Sequence, residues 1–157
     1  MVKTEESPAL KWCGSTNVMF DLTLDRKSAL KIAFCPEVLD QVIIKAIKEA
    51  GMERRTGLID PWETTRRGPA SFFHSLQESH VRAETWPDRM HVQGEVQLCN
   101  FSRDNSGATR QLAERIIRKL KPKTADLLVI IRGPDKNFDV RSMSVTRSKG
   151  GMLVFNW

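Results

Sequence analysis

Apolar residues along the chain switch between a two-residue rhythm and a three-to-four-residue rhythm, and the switches mark its elements. Residues 17–24, with Val18, Phe20, Leu22 and Leu24, have the bulk and alternation of a first strand, although Asp21 weakens the pattern. From Pro36 the rhythm changes. Val38, Leu39, Val42, Ile43, Ala46, Ile47 and Ala50 recur every three or four positions, and Glu37, Gln41, Lys45, Lys48 and Glu49 take the opposite face. Proline in the first turn and Gly51 as the stop bound this amphipathic helix. Residues 52–59 predict a second strand and residues 60–68 a loop. Residues 70–77 and 79–86 read as strands interrupted near Glu78-Ser79. Residues 91–99 alternate cleanly, with Val92, Val96 and Leu98 on one face and Gln93, Glu95, Gln97 and Cys99 on the other. A second helix, capped by Asn105 or Ser106, carries the stripe Leu112, Ala113, Ile116, Ile117 and Leu120, turns Arg110, Glu114, Arg118 and Lys119 outward, and closes at Pro122. Residues 126–131 form a near-continuous apolar strand. The Gly133-Pro134-Asp135 turn and two weaker strands, 140–146 and 152–155, follow.

The resulting order, β-α-β-β-β-β-α-β-β, predicts an α+β fold: a two-layer α/β sandwich with a mainly antiparallel sheet and two helices on one face. Residues 1–15 are polar and contain Pro8, so they read as a flexible N-terminal arm, which leaves 16–157 as a single domain. A chain of 157 residues buries enough surface to hold one core without staples. Cys13, Cys35 and Cys99 are odd in number and far apart, so neither a disulfide framework nor a metal site is indicated. No apolar run approaches the roughly 20 residues of a membrane span, and residues 1–8 lack the apolar core of a signal peptide; a cytoplasmic protein with no membrane partner is expected. The net charge of +6 raises nucleic acid as a partner. Its basic residues (Arg54-Arg55, Arg66-Arg67, Lys119, Lys121, Lys123, Arg147 and Lys149) are scattered without interleaved aromatics, and read as a solvated surface instead.

The densest cluster of chemistry lies between residues 68 and 100. Gly68-Pro69-Ala70-Ser71 is followed by Glu78-Ser79-His80, then Thr85-Trp86-Pro87-Asp88, then Cys99 at the end of the next strand. This set resembles the prokaryotic, pyruvoyl-dependent S-adenosylmethionine decarboxylases, whose motif runs Gly-x-Ser, Glu-Ser-His, Thr-Trp-Pro-Glu and a strand-end Cys. The spacings from Ser71 to Ser79 and from Ser79 to Cys99 match without gaps. One position departs: Glu84 stands where the family has a histidine before Thr-Trp-Pro.

The resemblance implies an α/β sandwich of the predicted kind and a self-made cofactor. Ser79 would attack the carbonyl of Glu78, the cleavage site; the ester would eliminate, and the new N-terminus would carry a pyruvoyl group. That ketone condenses with the substrate amine and takes up the electrons released with CO2. Ser71 matches the processing serine, Cys99 the proton donor, and Glu84 the processing-histidine position, where a carboxylate is a weaker base than imidazole. The implied reaction is decarboxylation of S-adenosylmethionine for spermidine synthesis. Two alternatives stand beside it: a pyruvoyl-dependent arginine or ornithine decarboxylase, and an unprocessed homologue acting as a regulatory or binding subunit. Glu84 is also a candidate for holding a cationic group, and a homodimer is expected.

Plainer readings accompany each residue. Ser79 alone would be a turn residue and Cys99 a small half-buried one. His80 could close a sheet-edge hydrogen bond, and His74 and His91 read as surface or interface residues. Phe72, Phe73 and Trp86 read as core rather than adenine-stacking groups, and Trp12, Trp62 and Trp157 carry no signal.

Overall fold

A computed structural model describes residues 14–62, 68–77, 79–100, 104–133, 138–148 and 151–157. The proposed arm falls almost wholly outside the described residues, as do Cys13, Trp12 and Glu78. The elements run β1 (Ser15–Thr23), α1 (Arg26–Phe34), α2 (Glu37–Glu49), β2 (Arg54–Pro61), β3 (Ala70–Leu76), β4 (Ser79–Trp86), a 3-10 turn (Pro87–Arg89), β5 (His91–Cys99), α3 (Ser106–Leu120), β6 (Thr124–Arg132) and β7 (Phe138–Thr146). The seven strands form one sheet in the order β2-β3-β4-β5-β1-β6-β7, and every neighbouring pair is antiparallel.

Alternation assigns the two sides of the sheet. Val18, Phe20, Leu22, Phe72, Val81, Ala83, Val92, Val96, Leu127 and Val129 are buried with Leu39, Ile43 and Ile47 of α2 and Leu112, Ile116 and Ile117 of α3 in one hydrophobic cluster. The opposite side bears no helix among the described residues and is called the open face below. Asp21 does not break β1 because it falls on that face, where its carboxylate lies 3.1 Å from His91 Nε2. Gly94 admits the central packing: a Cβ there would lie 2.5 Å from Phe20 Cζ and 2.8 Å from the Arg82 carbonyl oxygen. No helix among the described residues is long and apolar enough to cross a membrane.

Four departures from the sequence expectations bear on the fold. A third helix, α1, fills the stretch after β1; the Asp25 carboxylate caps it, accepting from Ser28 N–H at 2.9 Å and Ser28 Oγ at 2.9 Å. Its stripe is short, with Ala29 and Ile32 buried and Leu30 exposed, which is why periodicity alone does not reveal it. Residues 152–155 form no strand. The chain reverses at Gly151 (φ +79°), inserts Leu153 into the core, and lays Phe155 and Trp157, stacked at 5.5 Å, along α3, where Trp157 Nε1 donates to Glu114 Oε2 at 3.0 Å. Asn105 occupies the N-cap of α3, but its side chain makes no capping bond; its Nδ2 donates to the Cys99 carbonyl at 2.7 Å.

His74 is the fourth. It is not a surface residue but fully buried, because it shares the helix-facing side of β3 with Phe72 and Leu76. Arg54 Nε donates to His74 Nδ1 at 2.8 Å, which places the ring proton on Nε2. Nε2 lies 3.2 Å from Asp40 Oδ1 without the alignment of a hydrogen bond. Burial holds the imidazole below its ordinary 6.5, and the Arg54 charge adds to this against an upward pull from Asp40.

Candidate active site on the β3–β4 hairpin

The hairpin that carries the motif has Leu76 opposite Ser79 at its closed end. In this register Ser71 stands directly across from Glu84, and Ala70 across from Thr85. Thr85 is buried and fastens the pair: its Oγ1 accepts from Ala70 N–H at 3.1 Å and donates to the Ala70 carbonyl at 3.4 Å. The buried residues of both strands are those of the other parity, so Ser71 and Glu84 are neighbours on the open face. Ser71 Oγ also accepts from Trp62 Nε1 at 2.7 Å, and Trp62 meets Trp86 edge-to-face at 5.7 Å. Trp62, silent in the sequence, is thus part of this group. Only the fold could reveal it, because the two residues are nine apart in sequence and meet only once β2 and β3 pair.

His80 lies on the same face. Its Nε2 is 3.1 Å from Glu95 Oε1, and its ring stacks on Phe73 at 5.7 Å. Phe73 is therefore not a core residue; it is 42% exposed, whereas Phe72 is fully buried as expected. Glu95 also meets Arg82 Nε at 3.3 Å and accepts from Asn17 Nδ2 at 3.3 Å. Burial pushes the Glu95 carboxyl up, but the hydrogen bonds from His80 and Asn17 and the charge of Arg82 outweigh it, and the group stays below its usual range. Between these residues lies a small cavity of about 80 Å³ lined by Met19, Asp21, Arg82, Glu84, Gln93 and Glu95.

Ser79 and Cys99 sit differently. Ser79 is half-buried at the start of β4 and, by alternation, shares the side of Val81; it pairs with Leu76 on one strand and Leu98 on the other. Both leucines line a cleft of about 100 Å³ together with Met52, Glu53 and Asn105. Cys99, half-buried, lies one position past Leu98 and by the same alternation belongs to the open face, opposite Ser15. The continuous chain therefore brings Ser71 and Glu84 together but leaves Ser79 and Cys99 on different sides of the sheet.

No protein-family model matches the chain, and no curated protein matches it. Among solved structures, the adenosylmethionine decarboxylase from Aquifex aeolicus VF5 superposes with a TM-score of 0.63 at 23% identity, covering 77% of this chain and 92% of that one. A phage SAM lyase solved in complex with S-methyl-5'-thioadenosine matches at a TM-score of 0.40 and 15% identity over 88% of this chain and 94% of that one. The first of these likenesses establishes that the chain shares the fold of the Aquifex decarboxylase.

Proposed function

We propose that the chain is a pyruvoyl-dependent decarboxylase acting on S-adenosylmethionine in spermidine biosynthesis, matured by self-cleavage between Glu78 and Ser79. The observation that carries the reading is the cross-strand pairing of Ser71 with Glu84 on the same hairpin whose second strand begins at Ser79. Two of the motif's separated parts thereby share one small patch, in a fold shared with a solved decarboxylase.

In this reading Ser79 Oγ attacks the Glu78 carbonyl and displaces the amide nitrogen to give an ester. Ser71 and Glu84 stand five residues farther up the hairpin and on the other face in the continuous chain, so their part in the step requires the tip to move toward them: Ser71 then offers a hydrogen bond to the carbonyl oxygen, and Glu84 takes the α-proton as the ester eliminates. The dehydroalanine left at residue 79 takes up water and releases ammonia to become the pyruvoyl group. Trp62 holds the Ser71 hydroxyl by donating to its oxygen, which leaves the serine's own proton free to donate. A pyruvoyl carbonyl, once made, supplies the electron sink for loss of CO2. Chain cleavage also unties Ser79 from the hairpin tip, the movement that a Cys99 proton donor on the other side of the sheet requires.

A second reading keeps the chemistry and changes the substrate to arginine or ornithine. Three carboxylates, Asp21, Glu84 and Glu95, line the open-face cavity with a single Arg82, a lining suited to a guanidinium or ammonium group. Denaturing electrophoresis with intact mass tests both. Two fragments, the larger blocked at residue 79, are expected, and one unbroken chain would leave only the unprocessed homologue. Assays of CO2 release from S-adenosylmethionine, arginine and ornithine then separate the substrates. Ser79→Ala should abolish cleavage, whereas Cys99→Ala should permit it and lower turnover.

A further inference from the structure

At the other edge of the sheet, cations that are scattered in sequence converge. Arg118 in the last turn of α3, Lys121 just beyond it and Arg147 just past β7 meet Gly151 and Leu153 around a cleft of about 330 Å³. No carboxylate is among the residues lining it. Arg118 is partly engaged, donating through Nε to Glu114 Oε1 at 2.7 Å and lying 5.0 Å over the Phe155 ring. Among the described residues Lys121 takes part in no ion pair, and Arg147 Nη2 is buried without a hydrogen-bond partner. The charge of Arg147 is felt at the Asp25 carboxylate, yet this leaves that guanidinium nitrogen unsatisfied.

A buried donor without an acceptor costs free energy that a bound acceptor recovers. The carbonyl end of α3 opposes an anion with about half an elementary charge, which Lys121 and Arg147 outweigh even with Arg118 partly neutralised by Glu114. The cleft falls at the lower end of the roughly 300–1,000 Å³ typical of small-molecule sites, room for a phosphoryl group and a small organic body. We propose that it binds a phosphate-type oxyanion of a small metabolite, with Arg147 as the principal fork, Lys121 and Arg118 as flanking charges and Leu153 as the apolar wall. This site is separate from the β3–β4 hairpin, and its existence does not depend on the proposed decarboxylase activity.

The test is thermal unfolding and calorimetric titration of the full chain with inorganic phosphate and with glycerol phosphate, against potassium chloride at matched ionic strength. A saturable rise in midpoint beyond that of chloride is expected, weakened about tenfold or more in Arg147→Gln and in Lys121→Gln. Lys45→Gln, on the exposed face of α2, should change nothing. Lys121 is exposed, so its variant keeps the test valid even where Arg147→Gln folds poorly. Tighter binding of glycerol phosphate than of phosphate would assign the organic part to Leu153; equal binding would assign the site to free phosphate. The proposal is overturned by a response no larger than that of chloride, by wild-type affinity in both variants, or by a short single-stranded RNA binding more tightly than either probe with a steep salt dependence.

Discussion

Glu84 faces Ser71 where the resembling family has histidine, and a carboxylate is the weaker base near neutral pH. Under the proposed function, Glu84→His should speed self-cleavage severalfold in an electrophoretic time course; an unchanged rate would remove Glu84 from that step. Two other residues contribute to acid stability. Glu95 is held below its ordinary range, so its contribution is complete above the unfolded carboxylate value and is lost as pH falls through the folded one. His74 is also depressed, so the unfolded chain takes up its proton first, and stability falls as pH drops below 6.5 toward the folded value. Urea midpoints measured between pH 7.5 and 5.5 should therefore decline, and His74→Gln should flatten that decline.

Among the elements, β5 and β1 meet most closely where Gly94 lies against Phe20. Gly94→Ala should destabilise the protein by about 1–3 kcal/mol through overpacking, and Phe20→Leu in the same chain should recover part of the loss, read as a coupling in a double-mutant cycle. Helix α1 depends on its cap more than on its short stripe, so Asp25→Ala should cost about 1 kcal/mol in chemical denaturation. On β2, Gly57 is the cross-strand partner of His74, and the Arg54 guanidinium crosses the space a Cβ would fill. That absence of a side chain lets Arg54 reach the buried imidazole.

For the molecule as a whole, the open face is less polar than a solvated sheet surface usually is. Leu58 opposite Phe73, Met19 opposite Leu128 and Ile130 opposite Val140 are cross-strand pairs on it, and Leu58, Phe73 and Val140 are 42–61% exposed. A second copy of the chain laid on this face would bury them and enclose Ser71, Glu84 and His80. Sedimentation velocity should then report twice the 17.9 kDa chain mass, and Phe73→Glu should return the monomer.

The periodic stretches were legible without a structure. α2, α3, β4 and β5 fall within a residue of their expected limits, because each carries a complete apolar rhythm that needs no partner to be recognised. The Ser71, Ser79, Glu84 and Cys99 set was visible too, as a spacing. What that spacing could not contain was parity across strands: which motif residues share a face, that Ser79 and Cys99 do not, and that Trp62 and Ser71 touch. The burial of His74 and the docking of residues 152–157 along α3 likewise came from outside their own segments. Local sequence determines whether a stretch can be a strand or helix, since that depends on backbone preference and one apolar side. Register, burial of a polar ring and the meeting of distant cations depend on which surfaces remain to be covered, and only the assembled tertiary structure decides that.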